Sequence, residues 1–461
     1  MSHVFCQYFR CPEHGVSFSL SGPLSEENTY FKFEDEVIFG RVYAGNTPNS
    51  GDVKDMSSEC IVQGRTVHLP FDPSQVVNNL RLEAYTNTSA DWHPASSLLG
   101  RSYYFLRPLL PINLRRHLQK FRLNGWRKLP FPKWPVDRTV DNVMEKLLLL
   151  PLRHNNHPEI PFIWFWPDGA SSCAVMTHDV ETSVGRDFCP SLMDLDDLYG
   201  MKASFQVVPE SRYNVSDSYL ASIRERGFEI NVQDLNHDGH LFRDRKEFLA
   251  RAARINRYGR QFGAQGFRSA VLYRRQEWYD ALEFSYDMSV PNVAHLDPQR
   301  GGCCTVMPYF VGDIVELPVT ITQDYSLFHI LEDHSIELWR RQIDLVMEKH
   351  GLMNFIIHPD YIIANEERAT FESLLAYLAG LRAYRNVWMP LPREVASWWR
   401  QRSKMRLTEV NGTWQIEGEG KERARIAYAS EKDGRVSYSF ESATLNAGAM
   451  LLPVKREVSN V

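Results

Sequence analysis

The feature that most constrains this chain is the segment Cys173–Glu181, a short apolar run that ends in two acidic residues, Asp179 and Glu181. A run of this length, preceded by the turn-forming residues Asp168 and Gly169, predicts a strand buried on both faces. Sheets of α/β proteins gather their reactive side chains at the carboxyl ends of the strands. Because side chains alternate along a strand, Asp179 and Glu181 would project to the same side, with Cα atoms roughly 6.5 Å apart. The segment therefore indicates a metal-plus-base site, and the solvated start of a loop is the alternative.

Length and charge narrow the class of protein. A chain of 461 residues is too long for one small core, so we expect two or three domains. A hydrophobic fraction of 43% with 24% charged residues is ordinary for a globular protein. The net charge is −5 and no face is rich in lysine and arginine, which argues against nucleic acid as a partner.

The location of the protein is predicted from its first residues and its cysteines. Met1–Cys6 shows no basic leader followed by an apolar run, and no stretch of the chain is long enough to span a membrane. The seven cysteines include no CxxC pair of the structural zinc kind. We therefore expect a reducing, cytoplasmic location and no membrane span; the oligomeric state stays open.

The chain divides by pattern into three parts. Residues 1–165 show alternating stretches around 37–43 and 66–71, which predict a β-rich module. A basic aromatic segment, an amphipathic helix at 141–150 and a proline-punctuated linker follow it. Residues 166–400 alternate short apolar runs with helical segments, two of which we expect to end at Gly227 and Gly259. Residues 401–461 predict a small antiparallel β module, in which Trp414 or Tyr438 would stack on sugar rings or pack in a core.

The repeated strand and helix units of residues 166–400 predict the architecture of the central part. Units of this size favour a parallel sheet or a barrel, with its site at one end. The predicted fold class is therefore α/β, with β-rich modules on both sides of the central unit.

Five motifs in this central part resemble those of one family. Thr177–Glu181 is similar to the first motif of the polysaccharide deacetylases, carbohydrate esterases of the chitooligosaccharide and peptidoglycan deacetylase type. The later motifs follow in the family's order over residues 165 to 400: Gln233–His237, Gly266–Ser269, Tyr286–Ser289 and Ile357–Pro359. The resemblance implies a distorted (β/α) barrel, an acetylated glycan as substrate, and a divalent metal, with zinc as the first choice.

The resemblance also implies roles for individual residues. Asp179 would be the base that takes a proton from the attacking water, with Arg268 stabilising its carboxylate. His358 would protonate the leaving group, and we expect Asp287 to lie beside it and fix its tautomer. Glu181 and His237 would be metal ligands.

One position departs from the family pattern. Gln233 stands where the first histidine of the His-x-x-x-His metal pair is expected, and an amide oxygen binds zinc less well than imidazole does. Either His240 substitutes as a ligand, or the metal is held weakly or not at all. The sequence thus leaves two functions open: a metal-dependent glycan deacetylase active in polysaccharide assembly or modification, or a glycan-binding or scaffold protein that kept the barrel and lost the metal.

Overall fold

The computed structural model describes residues 3–12, 17–44, 53–63, 66–86, 125–154 and 158–441. The predicted basic aromatic segment at 101–122 lies outside these residues. Among the helices in the described ranges, none is both long and apolar enough to cross a membrane.

The N-terminal part consists of small sheets and helices. Its helices are α1 (His3–Phe9), α2 (Pro73–Arg81) and α3 (Thr139–His154), and its strands are β1 (Ser17–Leu20), β2 (Thr29–Phe33), β3 (Glu36–Gly40), β4 (Ile61–Gln63) and β5 (Thr66–Leu69). β1, β5 and β4 form one sheet, and β2 and β3 form a hairpin. The strands predicted around 37–43 and 66–71 and the helix predicted at 141–150 are confirmed. Helix α2 begins where the side chain of Asp72 accepts a hydrogen bond from Ser74 N at 2.8 Å.

The remaining elements form the central unit and the C-terminal hairpins. The strands are β6 (Glu159–Ile163), β7 (Ser172–Val180), β8 (Ala203–Val207), β9 (Glu229–Gln233), β10 (Gly266–Arg268), β11 (Tyr286–Asp287), β12 (Tyr309–Val311), β13 (Ile314–Glu316), β14 (Leu352–Ile357), β15 (Val387–Trp388), β16 (Arg406–Val410), β17 (Thr413–Glu417), β18 (Ile426–Lys432) and β19 (Arg435–Ser439). The helices are α4 (Ser183–Leu198), α5 (Asp217–Glu225), α6 (Arg245–Phe262), α7 (Glu337–Met347), α8 (Asn365–Arg385) and α9 (Pro392–Lys404).

The central sheet is a distorted (β/α) barrel. Its strands run in the order β12-β13-β11-β10-β9-β8-β7-β14, and β15 also pairs with β7. The pairings are parallel except that of β12 with β13. The gap between β13 and β14 is bridged by an irregular segment: Asn354 Nδ2 donates to Leu317 O at 2.9 Å, and Thr320 Oγ1 donates to Leu352 O at 2.7 Å. A non-strand segment thus closes the ring, which confirms the predicted fold class.

Strand β7 is buried along its whole length, as its apolar sequence predicts. Its side chains alternate between two cores: Cys173 and Val175 belong to one cluster, while Ala174 and Met176 belong to the cluster formed with the surrounding helices. This alternation continues toward the carboxyl end of the strand. It directs Thr177 and Asp179 to the face where Arg268 lies, and it directs His178 to Asp196 of α4.

Two local predictions are wrong and one is confirmed. Helix α5 ends just before Gly227, whose φ is +78°, as predicted. Gly259, however, does not follow a helix end, since α6 continues to Phe262 and is closed by Gly263 at φ +57°. Gly259 is instead a packing residue, because a Cβ there would lie 2.8 Å from the ring of Phe284. The predicted linker is wrong in that it contains strand β6, and one of its three prolines lies within that strand.

The C-terminal strands do not stand apart from the rest of the chain. Hairpin β18–β19 pairs antiparallel with β6, with Ile426 opposite Ile163. Arg402 of α9 is buried and donates to the carbonyl groups of Tyr8, Phe9, Ile163 and Trp164. Residues predicted to belong to three separate parts therefore share one apolar core.

Candidate functional site

The site is built on the carboxyl ends of β7, β9 and β10, starting from Asp179. Arg268 Nη1 donates to Asp179 Oδ1 at 2.6 Å and to Thr177 Oγ1 at 2.7 Å, while its Nε donates to Met288 O at 3.0 Å. Gln233, which is the register partner of Arg268, donates from Nε2 to Asp179 Oδ2 at 3.0 Å. Asp179 and Arg268 are both buried. A buried carboxylate is stabilised by such a paired cation, and the two contacts hold the Asp179 side chain in a fixed orientation.

Glu181 lies next to two imidazole rings. Its Oε1 is 2.8 Å from His237 Nε2 and 3.5 Å from His358 Nε2. Burial opposes ionisation, yet the two histidines outweigh it and hold the pKa of Glu181 well below its usual value. Burial likewise disfavours a charged His237, but Glu181 raises the pKa of that histidine. The structure thus brings together the acid and the histidine that the resemblance implies as ligands.

His358 is oriented by Asp324, and the prediction that Asp287 lies beside it is wrong. His358 Nδ1 is 2.6 Å from Asp324 Oδ1, and the backbone N of His358 donates to Asp324 Oδ2 at 2.6 Å. Burial lowers the pKa of His358, but Asp324 and Glu181 outweigh it and raise the pKa well above its usual value. Asp324 therefore fixes both the ring and the strand end that carries it.

Asp287 takes part in a different cluster. Its Oδ2 accepts a hydrogen bond from Ser289 Oγ at 2.8 Å, and its Oδ1 accepts one from Ser289 N at 3.0 Å. Burial raises the pKa of Asp287, which is also hydrogen bonded to Glu316. Since both carboxyls are buried, the pair is stable when it shares a proton. The Tyr-Asp-x-Ser segment thus shapes the turn after β11.

The side chain of His240 lies beside the ion pair of Asp238 and Arg251. Its Nδ1 is 3.7 Å from Asp238 Oδ2, and Asp238 Oδ1 is itself 2.7 Å from Arg251 Nη1. The His240 side chain is 37% exposed, whereas that of His237 is 5% exposed. The expectation that both imidazoles face one point is therefore not met, because the turn around Gly239 directs His240 toward Asp238.

The site contains side-chain atoms of the kinds that a divalent cation binds. Within the described ranges, no group of three or more His, Cys, Asp or Glu side chains is arranged to hold a metal. Two buried polar atoms of the site, Gln233 Oε1 and His237 Nε2, nevertheless have no aligned hydrogen-bond partner in the described structure. His237 Nε2 is in ion-pair contact with Glu181 without the alignment of a hydrogen bond. A carboxylate oxygen, an imidazole nitrogen and an amide oxygen are all ligands that a divalent cation can bind.

The sequence did not reveal two groups that position the site. Asp324 follows β13 in a segment with no period, and the only signal for it is an acid shortly after a strand end. Asp360 accepts a hydrogen bond from Thr182 Oγ1. This contact joins the residue after Glu181 to the turn after His358. The two segments are far apart in sequence, so no local pattern indicates that they meet.

The class of protein that this chain is similar to in structure is the polysaccharide deacetylases. A protein assigned as such a deacetylase from Mycobacterium smegmatis is 20% identical; the match covers 52% of this chain and 93% of the other, with a TM-score of 0.43. Another, from Pseudomonas aeruginosa PAO1, is 13% identical over 54% of this chain and 97% of the other, with a TM-score of 0.41. PuuE allantoinase is 12% identical over 51% and 92%, with a TM-score of 0.41.

No model of a protein family and no curated protein sequence matches the chain. At the identities of the solved structures, the reactions and substrates of those proteins do not transfer to this one.

Proposed function

We propose that this protein is a metal-dependent hydrolase that removes acetyl groups from a glycan. The observation that carries the proposal is that two proton-transfer groups lie at the same end of the barrel. Asp179 is paired with Arg268, and His358 is paired with Asp324. Hydrolysis of an acetamide or acetyl ester needs a base for the attacking water and an acid for the leaving group. The motif resemblance supplies the acetylated glycan as the substrate class.

The residues divide the work as follows. Asp179 accepts the proton of the attacking water, and Arg268 orients this carboxylate through the bond at 2.6 Å. Because Asp324 holds the Nδ1 proton, the charged ring of His358 can give up only the proton on Nε2. It gives the Nε2 proton to the leaving amine or alcohol. The raised pKa of His358 keeps the ring protonated for this step.

Glu181 and His237 would hold the metal, with Gln233 Oε1 as a third donor. When bound, a divalent cation lowers the pKa of water and polarises the acetyl carbonyl. We propose zinc, because imidazole and carboxylate are its usual nitrogen and oxygen ligands.

Replacement of the base tests the proposal. We expect Asp179→Asn to lower the rate of acetate release from an N-acetylated chitooligosaccharide by on the order of 10²–10⁴, because the amide cannot accept the proton. The matched control is Asp187→Asn on α4, whose carboxylate is 67% exposed and pairs with Arg186. Equal acetate release by Asp179→Asn and wild type would contradict the assignment.

A specific contact favours the second candidate, a glycan-binding or scaffold protein. Gln233 donates a hydrogen bond to Asp179 Oδ2 and so occupies a lone pair that the base would need to accept a proton. In that case wild type and Asp179→Asn would release no acetate and would bind the chitooligosaccharide equally well. Acetate release by the wild type separates the two candidates, and calorimetric titration with the oligosaccharide shows whether binding persists without it.

A further inference from the structure

We propose that the cleft between the C-terminal hairpins is a second binding site, which takes a neutral sugar chain. The cleft separates β16–β17 from β18–β19 and has a volume of about 940 Å³. The space is open to solvent rather than enclosed, which suits a chain that lies along the surface.

Aromatic side chains from separate strands line this cleft. Trp414 comes from β17, Tyr428 comes from β18, and Phe440 follows β19 with 50% of its surface exposed. Trp414 and Tyr428 are only partly buried, and in the part of the chain that the structure describes neither contacts another aromatic ring. Tyr438, by contrast, packs against Phe162 with ring centroids 5.3 Å apart and belongs to the core. Trp414 and Tyr428 thus keep surface that can pack on the C–H face of a sugar ring, with a polar tip left for hydroxyl groups.

The charges around the cleft cancel. Its lining contains the cations Lys421 and Arg425 and the anions Asp168 and Glu422. Arg425 Nη2 lies 3.3 Å from Asp168 Oδ1, so this pair is already compensated. A strongly charged polymer would meet repulsion from one half of these groups. The hydroxyl groups of a neutral ligand can hydrogen bond to both the cationic donors and the anionic acceptors. The cleft therefore favours an uncharged oligosaccharide over a phosphate-rich or polybasic partner.

The cleft lies at the end of the barrel opposite to the catalytic candidates. Asp168 and Gly169, which line it, come just before β7, whereas Asp179 lies at the far end of that strand. At about 3.3 Å per residue, the length of β7 separates them by roughly 25 Å. The cleft is therefore a distinct site, and it does not require the activity proposed above.

Calorimetric titration of the full chain with two neutral probes, N-acetylchitohexaose and xylohexaose, tests this site. To keep the first probe intact, the titrations use the Asp179→Asn background. We expect at least one probe to bind, and Trp414→Ala and Tyr428→Ala each to weaken binding by about tenfold or more. The matched control is Tyr384→Ala, because Tyr384 is 88% exposed and lies outside the cleft.

The two cleft variants lie on different hairpins, so one of them remains informative if the other fails to fold. Absence of binding by both probes would overturn the proposal, as would binding that both cleft variants leave unchanged. A dimer in sedimentation that Trp414→Ala dissociates would also overturn it, because a second copy of the chain would then occupy the cleft. Acetate release from a short soluble substrate by the cleft variants in the native Asp179 background reports separately on the proposed reaction.

Discussion

Asp324 holds the Nδ1 proton of His358 and so leaves the Nε2 proton as the one that the ring can give up. Asp324 accepts two hydrogen bonds, one from the ring Nδ1–H and one from the backbone N–H. An asparagine offers one acceptor oxygen in place of two, so one of these contacts is lost. We expect Asp324→Asn to lower acetate release by on the order of 10²–10³ while KM changes little.

Asp287→Asn is the matched control for this prediction, because it makes the same change at the residue first expected to orient His358. Since Asp287 is bonded to Ser289 and Glu316 instead, its rate should stay within a few-fold of wild type. A larger loss of rate in Asp287→Asn than in Asp324→Asn would contradict the assignment of Asp324.

Gln233 is the residue that departs from the motif, and its replacement tests the metal site. Gln233→His would place an imidazole at the carboxyl end of β9, beside β8 and close to His237. Because imidazole is the better zinc ligand, we expect zinc affinity to rise by about tenfold or more. Gln233→Ala should weaken zinc binding. The measurement is zinc titration of metal-stripped protein, and equal affinities of all three forms would mean that position 233 supplies no ligand.

The residues at strand ends could be predicted because their signals are local. Asp179 and Glu181 close an apolar run, and His358 closes another, so the positions of these side chains follow from strand geometry alone. The pairing of Gln233 with Asp179 could not be predicted, because it depends on the register between strands that are not adjacent in sequence. The role of Asp324 could not be predicted either, because the segment that carries it has no hydrophobic period.

At the scale of elements, the start of α4 is locked to the turn after β14. Thr182 accepts hydrogen bonds from Val184 N and Gly185 N, both at 3.2 Å, and donates to Asp360. A Cβ on Gly185 would lie 2.2 Å from Asp360 Oδ2. Glycine therefore allows a close approach between two elements, since a methyl group here would have to displace the Asp360 carboxylate, and the pair fixes the chain next to both Glu181 and His358.

We expect Gly185→Ala to cost about 1–3 kcal/mol of stability and to slow acetate release, because the helix start must move away from Asp360. Gly380→Ala is the control, since Gly380 lies within α8 and a Cβ there meets nothing within 4 Å. The control should be neutral or stabilised by up to about 1 kcal/mol. Urea unfolding measures both variants; equal stability of Gly185→Ala and wild type would show that the contact carries no constraint.

At the scale of the whole molecule, Arg402 joins three regions that are far apart in sequence. It is buried and donates to the carbonyl groups of α1, β6 and the residue after β6. Burial lowers the pKa of Arg402 to about 9, which still leaves the group charged at neutral pH. The parts that the sequence pattern divided at 165 and 401 are thus connected through one buried side chain.

Arg402→Met should therefore destabilise the chain as a unit. Loss of these hydrogen bonds leaves buried carbonyls without donors, for which we expect a cost of about 3 kcal/mol or more. The midpoints of unfolding seen by far-UV and near-UV circular dichroism should move together. Lys404→Met, at an exposed position of the same helix, should leave both midpoints in place. Midpoints that separate in Arg402→Met would mean that the regions unfold independently.

The pairing of β6 with β18 also has a consequence for how the protein is made. The ribosome releases β6 long before β18, and at about 5–20 residues per second the intervening stretch takes roughly 10–50 s to synthesise. Before β18 is made, the backbone groups of β6 that pair with it have no strand partner, and an unpaired strand edge is a common template for aggregation. The edge of β6 that faces β18 therefore has no partner until hairpin β18–β19 has been synthesised.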